Sequence, residues 1–266
     1  NPAFDQWVDA FTAEWVRAGG GGGGGGKGGK AGRKSEGAAK TDAKGKAAET
    51  AKTDDPDDAD SALMESYRAR RDRQLSQARR GLEELKRWPD DQLDRERRVS
   101  AAVLRWRLEQ IIAGERFEEH SFVFNQFHGL HVMLVNSLAE RFKIQRPRDA
   151  DDYLDRLKRV SMRIDEGLAR TRSAAAKNLI PPRYIIERSR QQVQAFLEPG
   201  PASNVLITSF RQRLAAVKEL DEAKRADLVA RAEKIVVEDV RPAFQRLDVL
   251  LGDLLPQAAA ERGLAE

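Results

Sequence analysis

The chain has 266 residues, of which 40% are hydrophobic, 34% charged and 6% aromatic, with no cysteine and a formal net charge of +4. The lack of cysteine excludes disulfides and thiolate metal sites, and no apolar run approaches the ~20 residues of a membrane-spanning helix. The positive charge is thinly spread over Ser61 to Glu266, so it reads as a solvated surface and argues against a concentrated phosphate-binding footprint.

Residues 1–18 predict a short amphipathic helix. Phe4, Trp7, Val8, Phe11, Trp15 and Val16 recur at three- and four-residue steps and share one face. So short a helix is marginal alone in water, which predicts that it docks on a bundle.

Residues 19–60 open with eight consecutive glycines and contain no Leu, Ile, Val, Phe, Trp or Tyr. Nothing there offsets the entropy of ordering, so the composition predicts a disordered Gly/Lys-rich insert acting as a spacer. Eight basic and eight acidic residues neutralise one another across it. A lysine-rich, nucleic-acid-binding tail is the alternative reading, and that neutrality weighs against it.

Residues 61–266 read as a helical bundle domain. Leu63, Tyr67, Leu75, Ala78, Leu82 and Leu85 mark a helix ended by Trp88-Pro89, and Val99, Val103, Trp106 and Ile111 mark the next, stopping near Gly114. Phe127, Leu130, Leu134, Leu138 and Phe142 mark a third. Asp149 suits the N-cap of a long fourth helix with Tyr153, Leu157, Val160, Ile164 and Leu168 on its stripe, and Asn178 suits its C-terminal cap before Pro181-Pro182. A fifth helix carries Ile185, Ile186, Ser189, Val193 and Phe196, and a sixth Leu206, Phe210, Leu214 and Val217. The last stretch, from about Glu222 to Leu255, contains Pro242, which should kink or split it. The expected fold is all-α: an irregular multi-helix bundle of about seven to eight helices.

No catalytic motif stands out. There is no Gly-x-Ser-x-Gly elbow, no phosphate-binding loop and no HExxH spacing. The histidines are His120, His128 and His131, with His128 and His131 three apart and Glu118, Glu119 and Glu140 nearby. Zinc needs three or four converging ligands, so packing or solvated histidines are the simpler reading, and no metal or other cofactor is expected in this chain. The segment HSFVFNQFHGLHVMLVN (residues 120–136) is sparsely charged yet mixes Asn125, Gln126, His128 and His131 with three phenylalanines. It is either a cleft wall or a buried helix start whose polar groups satisfy a turn.

The strings FVFNQFHGLHVMLVNSLAERF, DADDYLDRLKRVSMRIDEGLAR, NLIPPRYIIERSRQQVQAFL and FDQWVDAFTAEWVRA together resemble the bacterial "domain of unknown function 885" family, whose members are often exported or lipid-anchored. The resemblance covers Phe4 to Arg17 and about Ser61 to Glu266. It implies an all-helical fold, and it implies zinc for full-length relatives that look like metallopeptidases, with an HExxH-type helix in a C-terminal half. This chain resembles the N-terminal, cleft-forming half, so the family's metal ligands have no matching positions here. On that reading Asn125, Gln126 and His131 face the substrate cleft, the partners are a C-terminal catalytic half or a peptide substrate, and the location is exported or periplasmic. A free-standing helical interaction module is the rival.

Overall fold

A computed structural model describes residues 1–17 and 64–259. The Gly/Lys-rich insert expected over 19–60 lies outside the described residues. Among those described there is no strand, and the chain is an all-α multi-helix fold.

Three helices build a first core. They are α1 (Pro2–Arg17), α2 (Tyr67–Leu85) and α3 (Arg95–Ala113). Phe4 and Phe11 of α1 are buried with Ala78 and Leu85 of α2 and Ala101 and Leu108 of α3. The close approach is made over Gly81: a Cβ there would sit 2.6 Å from the Phe11 ring and 2.9 Å from Leu108. A mid-helix glycine costs about 1 kcal/mol against alanine, and here it makes room for an aromatic ring. Trp7 stacks near Trp88, with centroids 4.8 Å apart, and its indole N–H donates to Glu84 at 2.6 Å. Arg97 pairs with Asp5 at 2.6 Å and Arg80 with Glu14 at 2.6 Å, tying α1 to both partners.

The stripe expected on α3 is out of phase with the structure. Val99, Val103 and Trp106 are 60, 60 and 58% exposed, while Ala101 and Leu108 are buried and Leu104, Ile111 and Ile112 pack beside them. The helix has apolar residues on two faces, and the side that meets Phe11 and Leu85 is the one that packs.

The second, larger core is built by α4 (Leu130–Asn136), which runs into a π-turn (Ser137–Arg141), then α5 (Pro147–Ala176), α6 (Arg183–Leu197), α7 (Val205–Leu214), α8 (Glu222–Ile235) and α9 (Arg241–Leu254). Phe127, expected on the third helix stripe, is 74% exposed in the turn before α4. The 30-residue α5 is the spine. Its Tyr153 stacks on Phe210 at 4.4 Å and donates its hydroxyl to the Leu206 carbonyl at 2.8 Å. Full burial of such side chains contributes about 1.5–3 kcal/mol each, provided that the phenol finds its acceptor.

Helix ends follow local chemistry. Asp149, expected as the N-cap, is instead the third residue of α5, three positions beyond the N-cap Arg146. Its carboxylate accepts the backbone N–H groups of Gln145 and Arg146, both at 2.9 Å. Asn178 takes the left-handed conformation with φ 61°, and the Leu179 N–H reaches the Ala174 carbonyl at 2.9 Å, closing α5 as expected. Pro242 follows a π-turn (Val236–Val240) that joins α8 to α9. Proline supplies no N–H, and the widened turn absorbs the lost bond.

Several arginines serve the carbonyl ends of helices. Arg241 donates to Leu197 and Pro199 at 2.8 and 2.7 Å, and Arg213 donates to Leu138 at 2.6 Å and also to Phe142. Others pair between helices: Arg190 with Asp248 at 2.9 Å and Arg246 with Asp165 at 2.8 Å. The high charge content therefore links helices as well as coating them.

Candidate functional site

The two cores meet along a cavity of about 620 Å³. Its walls are the start of α2, the turn Gly114–His120 that follows α3, the extended segment 121–124, and the C-terminal half of α5. Such junctions are where ligand pockets commonly form. Phe122, Val123 and Phe124 are held against α5 by Gly167, where a Cβ would lie 2.6 Å from the Phe124 ring and 3.2 Å from Val123. Leu75, Leu251 and Leu254 complete the apolar lining.

Charged side chains line the rest. The Arg170 guanidinium lies over the Tyr67 ring, 3.4 Å from its centre. Burial raises the Tyr67 pKa, and the neighbouring Glu118 adds to the rise while Arg170 opposes it. Arg71 faces Glu118 at 3.8 Å and donates to the Ile111 carbonyl at 3.2 Å. Glu166 accepts from the Ser66 hydroxyl at 3.1 Å and from the Arg68 backbone N–H at 3.4 Å, and pairs with Arg163. Glu119 takes Lys177 and, at 3.3 Å, Ser173. The Lys177 contact and the Ser173 hydroxyl hold its carboxyl below the ordinary carboxylate range. Arg163 is buried, and desolvation together with Arg70 and Arg170 lowers its pKa to about 10.

Asn125, Gln126 and His131 lie beside this cavity and are not among its lining residues. Asn125 organises the turn before α4: its Oδ1 accepts from the N–H groups of Phe127 and His128 at 3.1 and 2.8 Å, and its Nδ2 donates to the Phe122 carbonyl at 3.2 Å. Gln126 and His131 are linked through Gln192 of α6. Its Nε2 donates to the Gln126 carbonyl at 3.0 Å, so its Oε1 turns to His131 Nε2 at 3.1 Å. Nε2 therefore carries the proton. His131 is 2% exposed, and its Nδ1 is a buried acceptor without a protein partner, as is Gln126 Oε1. Burial lowers the His131 pKa to about 4, with the Gln192 bond opposing. The imidazole is neutral at pH 7 and lies next to Phe124, ring centroids 5.9 Å apart.

The described residues offer no cluster that fits a zinc ion. Among the described residues no three His, Asp or Glu converge as metal ligands, and His120 and His128 are exposed.

The cavity cations and acids were not legible as a site. Glu166 and Arg170 lie four apart on a helix, a spacing that reads as an ordinary surface pair. The available signal was Arg163 and Gly167, which interrupt the apolar stripe of α5 on its buried side.

The match that decides the family covers residues 48–266 and is to the model "Bacterial protein of unknown function (DUF885)". The chain belongs to the DUF885 family. The opening helix lies outside the matched span. Within the solved structures, this DUF885 chain is similar to the crystal structure of the "putative lipoprotein" from Colwellia psychrerythraea, with a TM-score of 0.61 and 19% identity. The likeness covers 78% of this chain and 35% of that one, so the DUF885 chain spans about a third of its length. At that identity the likeness establishes the fold. No curated protein matches the sequence.

Proposed function

We propose that this chain supplies one wall of the substrate cleft of a metallopeptidase-like hydrolase and does not carry the catalytic centre itself. The observation that supports this reading is the cavity of about 620 Å³ at the seam of the two cores, lined by both apolar and charged side chains. A cleft wall of this kind binds and orients substrate, and the zinc and its ligands belong to the remaining part of such an enzyme. Similarity to a protein more than twice as long favours the same division of labour. The test is zinc content and turnover of a mixed peptide library by the purified 266-residue chain. Neither metal nor turnover is expected, and stoichiometric zinc with turnover overturns the reading.

A second reading, a helical interaction module, draws on the exposed stripe of Val99, Val103 and Trp106 on α3. An unpartnered apolar helix face is the usual form of a docking surface. Self-association or partner capture lost on Trp106→Gln would favour it over the cleft-wall reading.

A further inference from the structure

The cavity's charged groups are unequal in what they have left to offer. Among its acids, Glu118, Glu119 and Glu166 are each already opposite a cation, and Glu115 pairs with Arg79 at 2.7 Å. Asp72, at the exposed rim, is the acid with no ion pair among the described residues. Its cations divide differently. Arg71 and Lys177 are engaged by Glu118 and Glu119. Arg170, half-buried, has no carboxylate at ion-pair distance among the described residues, and its guanidinium lies over the face of Tyr67. A stacked guanidinium keeps its N–H edges free in a fixed plane, the geometry that grips a carboxylate with two parallel bonds. The Arg68 side chain on α2 likewise has no ion pair among the described residues and lines the same space.

Arg70 and Arg170 lie near enough to repel buried Arg163, adding to the desolvation that lowers its pKa, so cationic side chains cluster where α2 meets α5. Phe122, Phe124, Leu251 and Leu254 line the same cavity. A ligand that satisfies both kinds of lining has a carboxylate with an apolar group directly attached.

We infer that the cavity binds a peptide by its C-terminal apolar residue, the free carboxylate held by Arg170 and the side chain lying on Phe122. The inference deepens the cleft-wall reading by naming the group recognised, and rests on it for the choice of a peptide. Arg170 is the anchor, Tyr67 holds it in plane, and Arg68 adds charge at the entrance. Neutral termini lose the bidentate contact, and acidic side chains meet the carboxylates of Glu118 and Glu166.

Calorimetry on the whole chain tests this with three probes: an N-acetylated tetrapeptide of three alanines and a terminal phenylalanine, its C-terminal amide, and decanoate. The free acid is expected to bind about tenfold or more tightly than the amide, as for loss of a charge-assisted pair. Arg170→Gln should remove that preference and Arg170→Lys restore part of it, with circular dichroism confirming the fold. Equal binding of acid and amide by the unmodified chain overturns the proposal without any variant. Absence of binding by the acid overturns it as well. Decanoate binding with the peptide acid silent overturns the peptide and leaves a free carboxylic acid as the ligand. Turnover of peptides by the chain alone would sink the cleft-wall reading while leaving the acid-over-amide preference to stand or fall on its own measurement.

Discussion

Arg170 of α5 and Tyr67 of α2 form a cation–π stack at 3.4 Å that joins the two cores across the cavity mouth. The contact is between a helix of the first core and the spine of the second, so it couples cavity shape to the packing of both.

Tyr67→Leu removes the stack and part of the buried ring, and should lower stability by about 1–2 kcal/mol. Tyr67→Phe keeps the ring face beneath the guanidinium and should stay within about 0.5 kcal/mol of the parent. Urea denaturation of the two variants separates the contribution of the ring face from that of the hydroxyl.

Gly167 and Gly252 both lie inside helices, yet alanine should act oppositely at the two. At Gly167 a Cβ meets the Phe124 ring at 2.6 Å, so Gly167→Ala should destabilise by about 1–3 kcal/mol through overpacking. At Gly252 the nearest atoms, from 3.3 Å, belong to the Arg190 side chain, which can give way. Gly252→Ala should gain up to about 1 kcal/mol from helix propensity. Thermal melts of the pair give the sign directly.

The two faces of α3 should respond in contrast. Leu108 is buried, and Leu108→Ala should cost about 2–5 kcal/mol. Trp106 is 58% exposed, and Trp106→Ala should change stability by no more than about 0.5 kcal/mol. Quenching by acrylamide checks the placement independently, because Trp106→Phe should remove the most readily quenched part of the fluorescence.

His131 sets a pH dependence with a defined sign. Its folded pKa of about 4 lies below the ordinary value of 6.5, so the unfolded chain takes up the proton first. The stability it allows is fully present above pH 6.5, falls as the pH drops from there to about 4, and levels off below. The span of that loss is about 3 kcal/mol. Denaturant titrations at stepped pH should show it, and His131→Gln should flatten the curve in that window. Depressed carboxylates such as Asp149 act at lower pH, since their folded values lie beneath the ordinary carboxylate range.

Much of the architecture was legible as punctuation and period. Asn178 before Pro181-Pro182, Pro242 inside the last stretch, and the stripe of Tyr153, Leu157, Val160, Ile164 and Leu168 each fixed an element or its end, because capping, proline geometry and a one-sided apolar face are local properties. The start of α5 was not legible from Asp149, because an aspartate serves either as N-cap or at the third helical position, where its carboxylate reaches back to free N–H groups.

Residue chemistry alone therefore determined that this chain is helical, where its helices break, and which family strings it carries. The tertiary structure decided which side of α3 packs, since Val99-Val103-Trp106 and Ala101-Leu104-Leu108 are both apolar faces and only contact with α1 and α2 selects between them. It also decided which charges face a cavity. An arginine on a helix has the same periodicity whether water or a second core lies opposite, so Arg170 became distinguishable only once Tyr67, distant in sequence, was brought beneath it.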